Sequence, residues 1–151
     1  GSKLSPAELR LEVERTGVAL DEALEGPDID WSATLAGATG RMLPASEIPW
    51  LRVREVWLHA LDLRPGAAPE DLNEGVAEAL VDEVTVTFSG RDDAPALTLR
   101  SPDHDWRVEG GGEPVVVTGP VTHLAAWLVG RGGGEQLESD RGELPALPAW
   151  L

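Results

Sequence analysis

The chain has 151 residues and carries 12 basic against 27 acidic side chains, a formal net charge of −15. A field of that sign repels phosphate backbones and anionic lipid, which excludes binding to nucleic acid or a membrane surface as the main activity. The sequence contains no cysteine, so a disulfide framework, a cysteine-ligated zinc site and a cysteine nucleophile are excluded as well. No apolar run reaches the length of a membrane span, and we expect a cytoplasmic protein.

Two amphipathic helices are predicted in the N-terminal part. The first covers residues 5–25, begins with the capping box Ser5-Pro6-Ala7-Glu8 and ends at Gly26-Pro27. The second covers residues 48–62 and carries tryptophan, valine and leucine side chains on one broad face. Both helices therefore need an apolar surface to pack against.

A linker rich in proline and alanine, residues 65–70, predicts a domain boundary. The predicted domains are residues 1–64, which contain the two helices, and residues 71–151.

The second predicted domain mixes helices and strands. A third helix is expected from Asp71 or Asn73 to about Phe88, although its last residues also alternate like a strand. A fourth helix follows Thr118-Gly119-Pro120 and is closed by Gly130. Three strand candidates lie between these helices, at residues 96–100, 105–109 and 114–118. Their spacing predicts an antiparallel meander, and the fold class is α+β with a three-stranded or larger antiparallel sheet.

Four polar side chains of the second helix share one wedge, because a helix turns by about 100° per residue. They are Arg52, Glu55, His59 and Asp62. Glu55 and His59 are four residues apart, so a carboxylate and an imidazole can reach one point above the helix and ligate a zinc or similar divalent ion. Two ligands are too few for a tight site, so a third has to come from elsewhere.

The alternative interpretation of this wedge is the solvated face of an amphipathic helix. Glu55 then forms an ion pair with Arg52 or Arg54 and binds no metal.

The charge distribution singles out the same region. Residues 41–64 contain four arginines, Arg41 among them, against three carboxylates, so they carry a net +1 while the rest of the chain carries −16. A basic island on an acidic protein suits a small carboxylate substrate, and local pairing along the helix is the alternative. His104, in a polar turn, and His123, expected at the surface or in a helix cap, are interpreted as structural.

Two segments resemble a known family. Residues 50–63, W-L-R-V-R-E-V-W-L-H-A-L-D-L, resemble the R-x-R-E-V-W-x-H-x-x-D-L segment of the mycothiol-dependent maleylpyruvate isomerase family. Residues 117–131, V-T-G-P-V-T-H-L-A-A-W-L-V-G-R, resemble its V-x-G-P-x-x-x-L-x-x-W-L-x-G-R segment. Two such segments in the right order are more specific than either alone.

The resemblance implies an architecture and a metal site. The family has a DinB-like four-helix bundle followed by a small α+β domain related to sterol-carrier proteins. Its divalent metal, usually zinc, is held by a histidine, a glutamate and a second histidine, and the last two correspond to Glu55 and His59. The first histidine lies in the first part of the bundle, which this chain lacks. Residues 1–64 then supply only a remnant helix pair, and we expect weak or no zinc binding by this chain alone.

The resemblance also implies a mechanism. Zinc with an open position lowers the pKa of a thiol, which in this family is mycothiol. The thiolate adds to the double bond of a cis acid, and rotation followed by loss of the thiol gives the trans isomer. Arg131 corresponds to the arginine that fixes the substrate carboxylate, and Arg52 is expected to orient Glu55. Many members of the superfamily transfer thiols to other electrophiles.

Three hypotheses follow. The chain is the C-terminal part of a metal- and thiol-dependent isomerase or transferase, a non-catalytic module that binds a small ligand or a protein, or a structural fragment completed by another chain. Half a helical bundle exposes apolar surface, so self-association or a complementing N-terminal segment is expected.

Overall fold

The computed structural model describes residues 3–26, 28–37, 40 and 42–150. It contains two compact units, Gly1–Pro49 and Trp50–Leu151, each of which is considered by itself. This division is based on contacts between residues and does not test the domain boundary predicted at residues 65–70, which stays a prediction.

The first unit begins with helix α1, Pro6–Leu24. Its capping box is confirmed, because the Ser5 backbone N–H donates to Glu8 Oε2 at 2.7 Å and the Glu8 N–H donates to Ser5 Oγ at 3.3 Å. The helix ends with Glu25 as its C-cap, while Pro27 of the predicted stop lies outside the described residues. No residue of α1 is buried, so none of its apolar side chains is fully packed among the described residues.

A small hairpin follows α1 in the same unit. Strands β1, Thr34–Ala36, and β2, Met42–Pro44, pair antiparallel with Leu35 opposite Leu43. Arg41, part of the predicted basic island, lies outside the described residues.

Helix α2 spans Ile48–Leu63 and helix α3 spans Glu74–Ser89. The side chain of Asn73 caps α3 by accepting from the Val76 N–H at 3.3 Å. The helix continues to Ser89 because Val84 and Phe88, both fully buried, face the core at helical spacing. Burial therefore decides between helix and strand where the sequence pattern allowed both.

The sheet of the second unit has four strands in the order β4-β3-β5-β6. Their bounds are β3, Pro95–Arg100; β4, Asp105–Val108; β5, Gly111–Thr118; and β6, Glu138–Ser139. The α+β class is confirmed. The predicted antiparallel meander is wrong, because β5 pairs with β3, and the two run parallel.

Gly110 explains this departure. After β4 the chain passes directly against the backbone before β3, where a Cβ on Gly110 would lie 2.4 Å from the carbonyl oxygen of Ala94. Only glycine tolerates so close an approach. At Gly110, Gly111 and Gly112 the chain therefore crosses the start of β3 and continues on the other side of that strand, instead of forming a simple turn.

Helix α4, Val121–Leu128, packs against α3 and completes the core of the second unit. His123 of α4 was expected at the surface and is instead 3% exposed. Its ring contacts the Gly133 carbonyl oxygen at 3.1 Å and Glu70 Oε1 at 2.9 Å. A buried imidazole between two acceptors holds the segments before and after α4 together.

The remaining core is apolar and is shared by α3, the sheet and α4. Its largest fully buried side chains are Phe88, Leu80, Leu97, Leu99, Leu124, Leu128, Val81, Val84 and Val117. Among the residues that the structure describes, no helix combines the length and apolarity needed to cross a membrane.

Candidate functional site

Helix α2 brings the predicted ligand pair together. Glu55 and His59 lie one turn apart, and Glu55 Oε2 is 3.3 Å from His59 Nε2. On the other side of the ring, His59 Nδ1 is 3.3 Å from Asp62 Oδ2. Each ring nitrogen of His59 therefore faces one carboxylate oxygen, Nδ1 that of Asp62 and Nε2 that of Glu55.

Arg54, and not Arg52, contacts Glu55. The Arg54 Nη2 donates to Glu55 Oε1 at 3.0 Å, and the same guanidinium reaches Glu83 of α3 through Nη1 at 2.5 Å. Arg52 is exposed and does not line the cavity beside Glu55. The predicted role of Arg52 stays a prediction, whereas Arg54 occupies the position that this role requires. Arg54 engages only one oxygen of Glu55, and the other oxygen faces His59. The ion pair along the helix therefore does not exclude a metal between Glu55 and His59.

Arg131 reaches the same site from the segment after α4. Its Nε donates to Asp62 Oδ1 at 2.8 Å and its Nη2 donates to Asp62 Oδ2 at 2.9 Å. The bond from Arg131, with a smaller effect of His59, lowers the pKa of the Asp62 carboxyl below its ordinary value. Asp62 therefore stays ionised and bridges Arg131 to His59.

A cavity of about 610 Å³ lies beside these residues. Three of the four predicted site residues, Glu55, His59 and Arg131, line it, and Arg52 does not. The rest of the wall consists of Leu58, Trp127, Leu128, Val129, Gly130, Leu147, Pro148, Ala149 and Trp150. The cavity is thus polar where α2 meets Arg131 and largely apolar elsewhere.

The donor set fits part of a zinc site. Zinc bonds to oxygen and nitrogen of about 2.0–2.2 Å at a tetrahedral angle place two ligand atoms about 3.3 Å apart, which is the distance between Glu55 Oε2 and His59 Nε2. Asp62 on the far ring nitrogen matches the carboxylate–histidine arrangement that orients metal ligands. Within the described ranges, no group of three His, Cys, Asp or Glu side chains is arranged to hold a metal.

Arg131 retains capacity to bind an anion. A guanidinium has five N–H donors, and three of them point to Asp62 and, at 3.3 Å, to the Val129 carbonyl oxygen. The remaining donors are free for a carboxylate in the cavity, and the Asp62 pairing fixes their direction.

Sequence reasoning missed three parts of the site. Arg54 was considered only as an alternative ion-pair residue, and its burial, at 11% side-chain exposure, has no local signal. Asp62 was placed on the correct wedge but without a role, because its contact with Arg131 joins residues 69 positions apart. The C-terminal segment, residues 147–150, lines the cavity but carries no motif that points to the site.

Comparisons with known proteins agree on one family. Residues 1–64 match the model described as the mycothiol maleylpyruvate isomerase N-terminal domain. A crystal structure of a histidine-to-alanine mutant of the mycothiol-dependent maleylpyruvate isomerase is similar, with 34% identity and a TM-score of 0.83 over 99% of this chain and 63% of that chain. A crystal structure of the mycothiol-dependent maleylpyruvate isomerase itself gives 33% identity and a TM-score of 0.82, over 97% of this chain and 62% of that chain.

The chain thus spans a little under two thirds of the length of the solved structures that it resembles. No curated protein matches its sequence at a significant level.

Proposed function

Because the chain belongs to the mycothiol-dependent maleylpyruvate isomerase family, we propose that it forms the larger part of a metal- and thiol-dependent isomerase or S-transferase. Its substrate is a small acid with an electrophilic double bond. The observation that carries this proposal is the convergence of Glu55, His59 and Arg131 on one cavity.

Glu55 and His59 supply two of the ligands of a divalent metal, zinc being the first choice for an oxygen and a nitrogen donor. When bound, the metal lowers the pKa of a thiol and keeps the sulfur ionised near neutral pH. With a metal bound, the proton of His59 would lie on Nδ1, which is 3.3 Å from Asp62 Oδ2, and Nε2 would be the ligand atom. Arg54 engages the oxygen of Glu55 that does not face His59.

Arg131 binds the carboxylate of the acid. Its contact with Asp62 holds the plane of the guanidinium, so the remaining donors form a preset fork instead of a mobile charge.

The cavity has the size of a small-molecule site. Its volume of about 610 Å³ lies within the range of about 300–1,000 Å³ that is typical of small-molecule sites. The apolar side, formed by Leu58, Trp127 and Leu147, excludes water from the reacting atoms. We propose mycothiol as the thiol, because the similar solved enzymes are mycothiol-dependent.

The reaction balances without a further reagent. The thiol adds its sulfur and its proton across the double bond of the cis acid, which leaves a carbon–carbon single bond. Rotation about that bond and loss of the same thiol give the trans isomer. With a different electrophile the adduct is released instead, which is the transferase variant.

The complete site requires more than the described residues, since they provide two metal ligands. Helix α1 has no buried residue, and Leu9 and Val13, which share one face of the helix, are 40% and 65% exposed. We propose that a complementing N-terminal segment or a second copy of the chain covers this surface, and that the cytoplasm is the working compartment.

The apolar wall of the cavity also supports a second candidate, a non-catalytic module that holds a small apolar or acyl ligand. It differs from the enzyme in one respect: ligand binding then does not depend on Glu55 or His59.

The test is an assay of thiol-dependent cis–trans isomerisation. It compares this chain with the same chain fused behind the segment of a solved relative that it does not cover. The fused chain is expected to bind about one zinc and to consume the cis acid only when thiol is present. Glu55→Gln should abolish both properties, whereas Glu109→Gln, an exposed carboxylate outside the cavity, should change neither.

A fused chain that folds but stays free of zinc contradicts the metal-dependent mechanism. Full activity of the Glu55→Gln variant contradicts the enzyme proposal, and retained ligand binding in that variant favours the non-catalytic module.

A further inference from the structure

Arg54 is enclosed by three groups from different parts of the second unit. Its Nη1 donates to Glu83 Oε1 at 2.5 Å and its Nη2 donates to Glu55 Oε1 at 3.0 Å. Its Cζ lies 5.1 Å from the ring centroid of Trp150. A planar guanidinium can serve two carboxylates and an aromatic face at once, which a lysine ammonium cannot.

The C-terminal segment brings Trp150 to this position. Trp150 is 7% exposed, and the residue before it is anchored, because Arg91 Nη1 donates to the Ala149 carbonyl oxygen at 2.6 Å. Residues 147–150 also line the cavity that contains Glu55 and His59. The same segment therefore forms a wall of the site and covers the guanidinium behind it.

The second carboxylate of the enclosure is itself fixed. Glu83 accepts from Trp50 Nε1 at 2.8 Å through the oxygen that Arg54 does not use. The guanidinium therefore lies between a hydrogen-bonded carboxylate on α3 and the Trp150 ring, and among the described residues Glu55 is its one other charged contact.

This enclosure determines the orientation of Glu55. With Oε1 held by Arg54, Oε2 is the oxygen left at 3.3 Å from His59 Nε2. Within the part of the chain that the structure describes, Arg54 Nε is a buried nitrogen with no hydrogen-bond partner. The Arg54 guanidinium thus hydrogen-bonds both carboxylates while its Nε–H stays without a partner, which costs free energy in a buried position.

We propose that Arg54 is the positioning residue for Glu55 and that the Trp150 ring holds Arg54 in place, so that docking of residues 147–150 completes the ligand pair. This inference rests on the proposed function, in which Glu55 is a metal ligand. It gives residues 147–150 a role in the site, although they lie outside the two segments, 50–63 and 117–131, that resemble the family.

The first readout needs no metal. Arginine side-chain NMR reports whether the guanidinium of Arg54 rotates about its Cζ–Nε bond, with exposed Arg107 as the internal reference. Trp150→Phe keeps an aromatic face and should leave Arg54 restricted. Trp150→Leu keeps apolar bulk without that face, and the Arg54 signals should average as those of Arg107 do.

The second readout is the affinity of the fused chain for Zn²⁺ alone, followed through the Glu55 and His59 signals. Outer contacts of metal ligands typically contribute 10–100-fold to affinity. Trp150→Leu and Arg54→Lys should each weaken Zn²⁺ binding about tenfold, and Trp150→Phe should stay within about twofold of the unmodified chain. Thermal unfolding of each variant checks that the second unit is intact.

Restricted Arg54 signals in Trp150→Leu overturn the positioning proposal, as does unchanged Zn²⁺ affinity in a folded Arg54→Lys variant. Absence of Zn²⁺ binding by the fused chain, with Arg54 restricted as expected, contradicts the proposed metal site instead. The two failures are therefore distinguishable.

Discussion

Arg131 donates two hydrogen bonds to Asp62, from Nε to Oδ1 at 2.8 Å and from Nη2 to Oδ2 at 2.9 Å. The pair joins the segment after α4 to the end of α2, across 69 positions of sequence. Asp62 also lies 3.3 Å from His59 Nδ1. One carboxylate thus orients the anion-binding arginine and the imidazole of the proposed metal site.

Arg131→Lys tests the anion-binding role. A lysine keeps the positive charge but cannot form the parallel pair of bonds with Asp62, so the charge loses its fixed direction. In the fused chain we expect KM for the acid to rise about tenfold. Arg107→Lys, at an exposed position of β4, is the matched control and should leave KM unchanged. A KM unaffected by Arg131→Lys argues against carboxylate binding at this position.

Asp62→Asn tests the electrostatic link through its pH dependence. Pairing with Arg131 lowers the pKa of Asp62 in the folded chain, so the unfolded chain takes up this proton more readily. The stabilisation is therefore complete above the unfolded pKa of about 3.9 and is lost as pH falls through the lower folded pKa. Because the pair is partly exposed, its contribution is expected to stay below about 1 kcal/mol.

Denaturant unfolding of the unmodified chain and of Asp62→Asn, from acid to neutral pH, measures this contribution. The difference in unfolding free energy should be largest near neutral pH and should shrink below about pH 4. A difference in unfolding free energy that stays constant from acid to neutral pH would show that Asp62 and Arg131 are not electrostatically coupled.

Gly110→Ala tests the backbone crossing that places β5 beside β3. The new Cβ would lie 2.4 Å from both the Ala94 carbonyl oxygen and the Pro95 carbonyl carbon, so the backbone has to shift. We expect a loss of about 1–3 kcal/mol in unfolding free energy, the range for overpacked sites.

The control for this substitution is Gly17→Ala in α1, where a Cβ meets nothing within 4 Å. It should be neutral or stabilise the helix by up to about 1 kcal/mol. Equal stabilities of the Gly110→Ala variant and the unmodified chain in urea unfolding would contradict the close approach.

The exposed face of α1 predicts association. A helix of 19 residues without a buried side chain is marginal in water by itself. Size-exclusion chromatography with light scattering should give a mass above the 16.1 kDa of one chain. Val13→Glu should lower that mass, whereas Ala19→Glu, at an exposed position on another side of the helix, should not. A monomer with a fully formed α1 would contradict the expected association.

The sequence was informative where local physics decides the structure. The capping box at Ser5, the apolar periodicity of α2 and the capping residues of α3 and α4 predicted these helices to within a few residues. Helical spacing likewise placed Glu55 beside His59. Contacts between distant segments had no such local signal. The parallel pairing of β3 with β5 depends on a close approach at Gly110, which the glycine itself does not distinguish from a turn.

The same limit applies to the site. Arg131 was assigned through a resemblance of residues 117–131, and no pattern in the chain connects it to Asp62. Burial of His123 also depends on its contacts with Glu70 and Gly133, neither of which lies on its helix. Residues of one helix could therefore be predicted together, whereas their contacts across the fold required the structure.

The central claim is that Glu55 and His59 hold one cation jointly. The most direct measurement is the Zn²⁺ affinity of this chain and of Glu55→Gln, His59→Gln and the double variant. Joint ligation predicts weak binding of one Zn²⁺ by the unmodified chain, a similar loss in each single variant and little further loss in the double variant. Unchanged Zn²⁺ affinity in either single variant, or two losses that simply add, would contradict it.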